Sequence, residues 1–396
     1  MLAKKVQSIS PSPTLAIDAK AKQMKKEGID VIGFGVGEPD FDTPAHIKEA
    51  AVQAIKDNFT RYTPVAGCQE LREAICQKLK NDNQLLYKPQ EIVVSNGAKH
   101  SLSNAFAALL NPGDEVIIPA PYWVSYPEII KINDGVPVIV ATSAKHNFKI
   151  TATEIAGALT SRTKAIILNS PNNPTGQVYT RRELEEIACL ALEHNLYIVS
   201  DEIYEKLIYG QQPHISIAAL GEEIKTRTIV VNGVSKTYAM TGWRIGYAAA
   251  TAPIAKLMSN LQSHATSNAN SIAQKAALAA ILGPQDCVAQ MKAAFAKRRD
   301  YMVQKIKSIP ELNCIEPDGA FYVFVDVSKL FGRSYRGQQI TDSMDFATLL
   351  LEKAQVALVP GTAFGAPNYV RLSYALSLEQ AQEGMERIEN FIKQLD

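Results

Sequence analysis

The sequence predicts an α/β protein, with a mainly parallel seven-stranded sheet flanked by helices and a smaller α/β unit after it. Seven short β-rich runs carry the first part: Ile92–Val94, Val116–Ile118, Val136–Val140, Ala165–Leu168, Leu196–Val199, Thr228–Val231 and Ile245–Ala249. Helical patterns lie between many of them, and this alternation is the mark of a parallel sheet covered on both sides. Several of the runs are almost continuously apolar, as strands buried on both faces are. Length is the third observation. At 396 residues and 46% hydrophobic content, the chain has material for two or three domains and a large core.

The elements follow in chain order. Thr43-Pro44 reads as an N-cap with proline at the first helical position. Behind it Ile47, Ala50, Ala51, Ala54 and Ile55 recur at helical spacing. Thr180 and Glu183 fit a capping box, and Leu184, Ile187, Ala188, Ala191 and Leu192 make one apolar stripe behind them. Past Gly283-Pro284 a second domain is expected. Ala320–Val327 and Tyr369–Tyr374 read as strands of a smaller sheet, with Val370, Leu372 and Tyr374 on one face and Arg371 on the other. A final helix, from about 378 to 394, shows an apolar face at Ala381, Met385, Ile388 and Ile392.

Composition excludes several classes. Lys and Arg number 41 against 40 Asp and Glu, so there is no basic surplus for coating nucleic acid. The Lys20, Lys22, Lys25, Lys26 run reads as a solvated helix face. The five cysteines are scattered and form no CxxC, which suggests neither a disulfide framework nor a zinc site. No stretch approaches the roughly 18 apolar residues of a membrane span, and the first twenty residues lack a signal-peptide core. A soluble, cytoplasmic protein in a reducing compartment is expected, with no nucleic-acid, membrane or metal partner.

In open α/β sheets ligands sit outside the carboxyl ends of the strands. Three such ends carry unusual clusters. Asn169-Ser170-Pro171-Asn172-Asn173-Pro174-Thr175-Gly176 follows one run, Ser200-Asp201-Glu202-Ile203-Tyr204 the next, and Asn232-Gly233-Val234-Ser235-Lys236 a third. Singly each has a plain reading: a tight turn, a helix cap, a solvated lysine. Together they would bring an amide, a carboxylate, a phenol and an amine to one crevice. Asn96-Gly97-Ala98-Lys99 also opens a helix after a strand, and backbone N–H groups there suit an anion.

With these clusters in place, the chain resembles the class I family of pyridoxal-phosphate (PLP) aminotransferases, in particular its bacterial-type aspartate aminotransferases. SKTYAMTGWRIGY (235–247), SDEIYE, SPNNPTG, GEPDF (37–41) and YVRLSYA (369–375) carry the resemblance, in the family's order and across almost the whole chain. It implies the fold type I of PLP-dependent transferases, with a large domain over 46–283 and a small one from 1–45 and 284–396. It implies transamination between L-aspartate and 2-oxoglutarate by ping-pong aldimine and ketimine chemistry.

The resemblance also implies roles. Lys236 matches the Schiff-base lysine, whose freed amine shuttles a proton. Asp201 matches the partner of the pyridine nitrogen, Asn173 and Tyr204 the donors to the ring oxygen, and Trp123 the aromatic stacked on the ring. Gly97, Ala98, Lys99, Ser235 and Arg244 match the phosphate site, with Arg244 offering a guanidinium fork. Tyr62 matches a tyrosine reaching the neighbouring subunit's phosphate, which implies a homodimer with shared active sites. Arg371 matches the clamp on the substrate α-carboxylate, Gly37 a backbone position closing over the substrate, and Lys99 a group reaching a second carboxylate. Thr14 and Lys164 match positions in relatives that transaminate prephenate.

Two departures from the family pattern bear on phosphate affinity: Gly233 stands where some members carry serine, and Ala98 where glycine is common. Rival readings remain at this point. Gly33-Phe34-Gly35-Val36-Gly37 resembles a dinucleotide loop but has Glu38 where the third glycine belongs. A non-catalytic protein on this fold is a second alternative. A broader aromatic or prephenate range, or a PLP-dependent β-lyase, is a third.

Overall fold

The computed structural model describes residues 2–9 and 13–396. Its centre is a seven-stranded sheet of β1 (Ile92–Ser95), β2 (Glu115–Ala120), β3 (Val136–Ala141), β4 (Thr163–Asn169), β5 (Tyr197–Asp201), β6 (Thr228–Gly233) and β7 (Gly246–Ala249), in the order β1-β7-β6-β5-β4-β2-β3. All neighbours are parallel except β7, which runs antiparallel to both β1 and β6.

The continuous apolar runs have a direct cause. Ala165 and Ile167 pack into a core with helices Ala98–Leu109 and Ala252–Ala265, while Ile166 and Leu168 pack on the opposite face with helix Arg181–Glu193. Alternate side chains point to opposite faces, so two buried faces require an unbroken apolar string. Val93 against Ile92 and Val94 repeats the pattern in β1.

The C-terminal part holds a four-stranded sheet of β8 (Asn313–Cys314), β9 (Tyr322–Asp326), β10 (Val359–Pro360) and β11 (Tyr369–Ser373), in the order β10-β11-β9-β8. Val370 and Leu372 enter a core with Ala381, Met385, Ile388 and Ile392 of helix Leu378–Ile392. Ile32–Gly33 pairs in parallel with Val356–Ala357, which ties residues near the N-terminus to this unit. No helix opens after Gly37, and the next one is Ala45–Lys56. The glycines at 33–37 therefore do not form a strand-turn-helix dinucleotide loop.

The capping box at Thr180 is present: its hydroxyl accepts from the Glu183 N–H, and the Glu183 carboxylate accepts from the Thr180 N–H. The expected cap at Thr43 is corrected. Pro44 holds the cap position of helix Ala45–Lys56, and the Thr43 hydroxyl donates to the Ala239 carbonyl instead. A longer-range partner took the oxygen that local pattern assigned to the helix. Lys20, Lys22, Lys25 and Lys26 are exposed along helix Pro13–Lys26. Among the described residues no helix is long and apolar enough to cross a membrane.

Candidate active site

The carboxyl ends of β1, β4, β5 and β6 open onto one cavity of about 320 Å³. Eleven of the sequence-predicted residues line it: Gly37, Ala98, Lys99, Trp123, Asn173 and Asp201, then Tyr204, Ser235, Lys236, Arg244 and Arg371. Gly97 stands just behind, and Tyr62 lies away from it, 90% exposed. Lys164 is outside as well, with its amine over the Tyr197 ring at 5.8 Å. The Thr14 side chain lies outside the described residues.

Asn169, Asp201 and Gly233 are the last residues of β4, β5 and β6. Their backbones finish the ladder while the first two present polar groups at its end. Asp201 is almost fully buried and holds two hydrogen bonds. Tyr126 donates its hydroxyl to Oδ2 at 2.7 Å, and the Ile203 N–H donates to Oδ1 at 3.3 Å. Burial pushes its pKa up to about 6 against the pull of these donors, and the neighbouring Glu202 adds to the rise. At neutral pH the group is still mainly an anion.

Lys236 donates from Nζ to the Gly37 carbonyl at 2.5 Å. Burial lowers its pKa to about 8; Glu38 and Asp201 oppose the fall, while Arg244 and Arg371 deepen it. A lysine poised so near neutrality is a usable nucleophile and base.

Arg371 is 2% exposed. It donates to Asn173 Oδ1 at 3.0 Å and to the Gly35 carbonyl at 2.7 Å, and lies 4.4 Å from the Tyr322 ring centroid. Its Nε has no partner among the described residues. The expected split of β11 is seen: Val370 and Leu372 go to the core, and the arginine goes to the cleft. Tyr204 and Tyr322 share a hydrogen bond between hydroxyls at 2.9 Å. A Cβ at Gly37 would stand 2.8 Å from the Tyr322 hydroxyl, so the segment passes too close for any side chain.

At the other end, Gly97 caps helix Ala98–Leu109 with φ +85. The Arg244 guanidinium sits where a Cβ at Gly97 would be, 2.1 Å from it. Arg244 also donates to the Thr241 carbonyl at 2.8 Å. Lys99 stands 4.8 Å over the Trp123 ring, and Trp123 meets Tyr126 edge-on at 5.3 Å. The Gly233 departure has a packing reason: an added Cβ would lie 2.9 Å from both the Gly246 Cα and the Ile245 carbonyl. A serine has no room there.

Sequence reading missed Tyr126, Tyr322 and Thr241, which also line the cavity. The two tyrosines reach partners 75 and 118 residues away. The nearest available signal was their place beside residues already singled out, Trp123 and the predicted strand Ala320–Val327.

Comparisons with known proteins agree with this geometry. The family model for aminotransferase class I and II matches residues 29–388. The chain is 53% identical to the aspartate aminotransferase of Bacillus sp. (strain YM-2), covering 99% of each. It is 47% identical to the probable aspartate/prephenate aminotransferase of Aquifex aeolicus (strain VF5), covering 100% of this chain and 99% of that one. The crystal structure of the aspartate aminotransferase from Rhizobium meliloti superposes with a TM-score of 0.97 at 43% identity, covering 100% of both chains. A full-length match in sequence and in fold makes this chain a member of the class I and II aminotransferases, with the fold that its strand pattern anticipated.

Proposed function

We propose that the chain is a PLP-dependent enzyme that transfers an amino group between L-aspartate and 2-oxoglutarate, giving oxaloacetate and L-glutamate. The observation that carries this reading is the meeting of one amine, one acid and one buried guanidinium, Lys236, Asp201 and Arg371, around a single cavity. The aspartate named for the relatives supports the choice of substrate.

The residues fit the cofactor. Gly97, the N–H groups opening helix Ala98–Leu109, Ser235 and Arg244 form a cradle for a phosphate dianion, and a Cβ at 97 would push the Arg244 guanidinium out of it. Asp201, deep and anionic, suits a protonated ring nitrogen. Trp123 offers a flat face, and Asn173 and Tyr204 offer donors to a ring oxygen. When bound, PLP supplies an electron sink for the charge that builds at the substrate α-carbon. Lys236 would hold the cofactor through Nζ, and its amine would serve as the base that moves the proton at the substrate α-carbon. Arg371 orients the α-carboxylate with both Nη atoms, exchanging Gly35 and Asn173 for the substrate. Lys99 faces a second carboxylate.

Arg371→Lys keeps the charge and loses the fork, so the KM for aspartate rises about 10- to 100-fold with a smaller change in kcat. Steady-state kinetics check this, and an unchanged KM removes the role.

The large domain is taken as 46–283 and the small one as 1–45 with 284–396. The active unit is taken as a homodimer in which Tyr62 completes the partner's phosphate site. Two buried glutamines support a fixed Tyr62 loop: Gln262 donates to the Val65 carbonyl, and Gln274 donates to the Thr63 hydroxyl and accepts from the Cys68 N–H. Val52, Ile55, Leu257 and Leu282 are exposed apolar residues on the surrounding helices. Sedimentation should show a dimer at micromolar concentration; a fully active monomer ends this part.

A half-reaction tests the function. Aspartate alone should give one equivalent of oxaloacetate and change the cofactor's spectrum. Pyruvate with ammonia indicates a lyase, and faster turnover of prephenate or aromatic acceptors indicates the broader range. Borohydride reduction should fix the cofactor on Lys236.

A further inference from the structure

Residues 35–43 form a strap that enters the cavity lining at Gly37. The Gly35 carbonyl accepts from Arg371 and the Gly37 carbonyl from Lys236. Asp40 pairs with Arg298 at 2.7 Å, and the Thr43 hydroxyl donates to the Ala239 carbonyl at 2.7 Å. Between these anchors the exposed Glu38 reaches Thr241. Its Oε2 accepts from the Thr241 hydroxyl at 2.7 Å. Thr241 itself lines the cavity, and its carbonyl is held by Arg244. The Glu38 carboxylate is thus pinned one residue from the carbonyl that holds Lys236.

The charges around that lysine are unequal. Arg244, Arg371 and Lys99 bring three cations from three different elements, while Asp201 brings one anion from the floor. Tyr126, Tyr204 and Tyr322 bring phenols, which burial keeps neutral. Glu38, next to Gly37 in the chain and bonded to the cavity-lining Thr241, brings the second anion to this end of the site.

We infer that Glu38 is a positioning residue for the proton of Lys236: held by Thr241, its carboxylate keeps the lysine nitrogen protonated against the cationic wall of the site. This rests on Lys236 being the cofactor's attachment point. The sign is fixed by electrostatics, since an anion nearby favours the charged form of an amine. Glu38 is exposed, so its influence is screened by salt.

The test is a pH titration of the visible absorption of the PLP-loaded enzyme. Glu38→Gln should move the midpoint down by about half a pH unit or more at low ionic strength. About 1 M salt should shrink the difference between variant and parent. Thr241→Val leaves the charge and frees its position, so it should shift the midpoint the same way by less. Asp42→Asn removes the same charge from an exposed position four residues further along the strap and should leave the midpoint in place. An unmoved midpoint in Glu38→Gln overturns the inference, as does an equal shift in Asp42→Asn, which would make the effect one of net charge. Failure of the underlying reading looks different: the parent protein would then show no titrating visible band with PLP.

Discussion

Replacing Lys236 by alanine lowers kcat by at least about four orders of magnitude, because one nitrogen performs two tasks. In the proposed reaction it would anchor the cofactor covalently and carry the proton at the substrate α-carbon. The only other amine among the residues that line the cavity is Lys99, held over Trp123 at the start of helix Ala98–Leu109. Burial lowers its proton affinity, and the neighbouring Arg244 adds to the fall. Lys99 does not substitute, because its amine is held over the Trp123 ring and not at the Gly37 carbonyl where the Lys236 amine sits. Lys236→Arg separates charge from chemistry: it keeps a cation in place but cannot lose its proton in the working range. Both variants should be equally inactive in single-turnover assays with aspartate. PLP should still bind, since the phosphate cradle and Asp201 are untouched, and borohydride should fix no label at 236. A loss in kcat smaller than tenfold, or activity retained by the arginine variant, would remove Lys236 from the chemistry.

How much of this site could be read from the chain depends on where each partner came from. The seven strands were legible because burial on both faces leaves an unbroken apolar signal, as Ala165 to Leu168 shows. Their ends were not. Asn169, Asp201 and Gly233 read as loop residues because they are polar or small, yet their backbones complete the ladder. The polar groups that contact one another across long loops were also hidden. The Tyr126 hydroxyl finds Asp201, at the end of β5, only once helix Tyr126–Ile132 has packed against β2 and β3. Tyr322 meets Tyr204 only when the small sheet packs against the segment that follows β5. Thr43 shows the reverse failure: a correct local preference for capping lost to the Ala239 carbonyl. Lys236 and Arg371 were found because motif order placed them, while nothing local distinguished either from a surface residue.

Asp201→Asn should lower kcat at least about 10³-fold, since it removes a preorganised charge from a water-excluded site. Yet it should leave the cofactor-free protein more stable at pH 7. Asp201 is buried, and its pKa is raised from 3.8 to about 6. A folded-state pKa above the unfolded one means stability that is present below pH 3.8 and lost as the pH rises through about 6. At neutral pH the ionised group therefore costs folding free energy, about 3 kcal/mol at most by linkage. Asparagine removes that cost but offers an amide where both neighbours, the Tyr126 hydroxyl and the Ile203 N–H, are donors. One of those hydrogen bonds is forfeited, returning about 1 kcal/mol, so the net gain is about 1–2 kcal/mol. Thermal denaturation of the cofactor-free proteins should show the variant ahead at pH 7, with the gap closing and then reversing as the pH falls below 4. Adding PLP should reverse the order at pH 7 as well, because only the parent gains a buried ion pair with the ring nitrogen. A variant less stable than the parent without cofactor at pH 7, or one that keeps most of its activity, would mean that the charge at 201 is structural and that the electron-withdrawing ring is maintained by some other group.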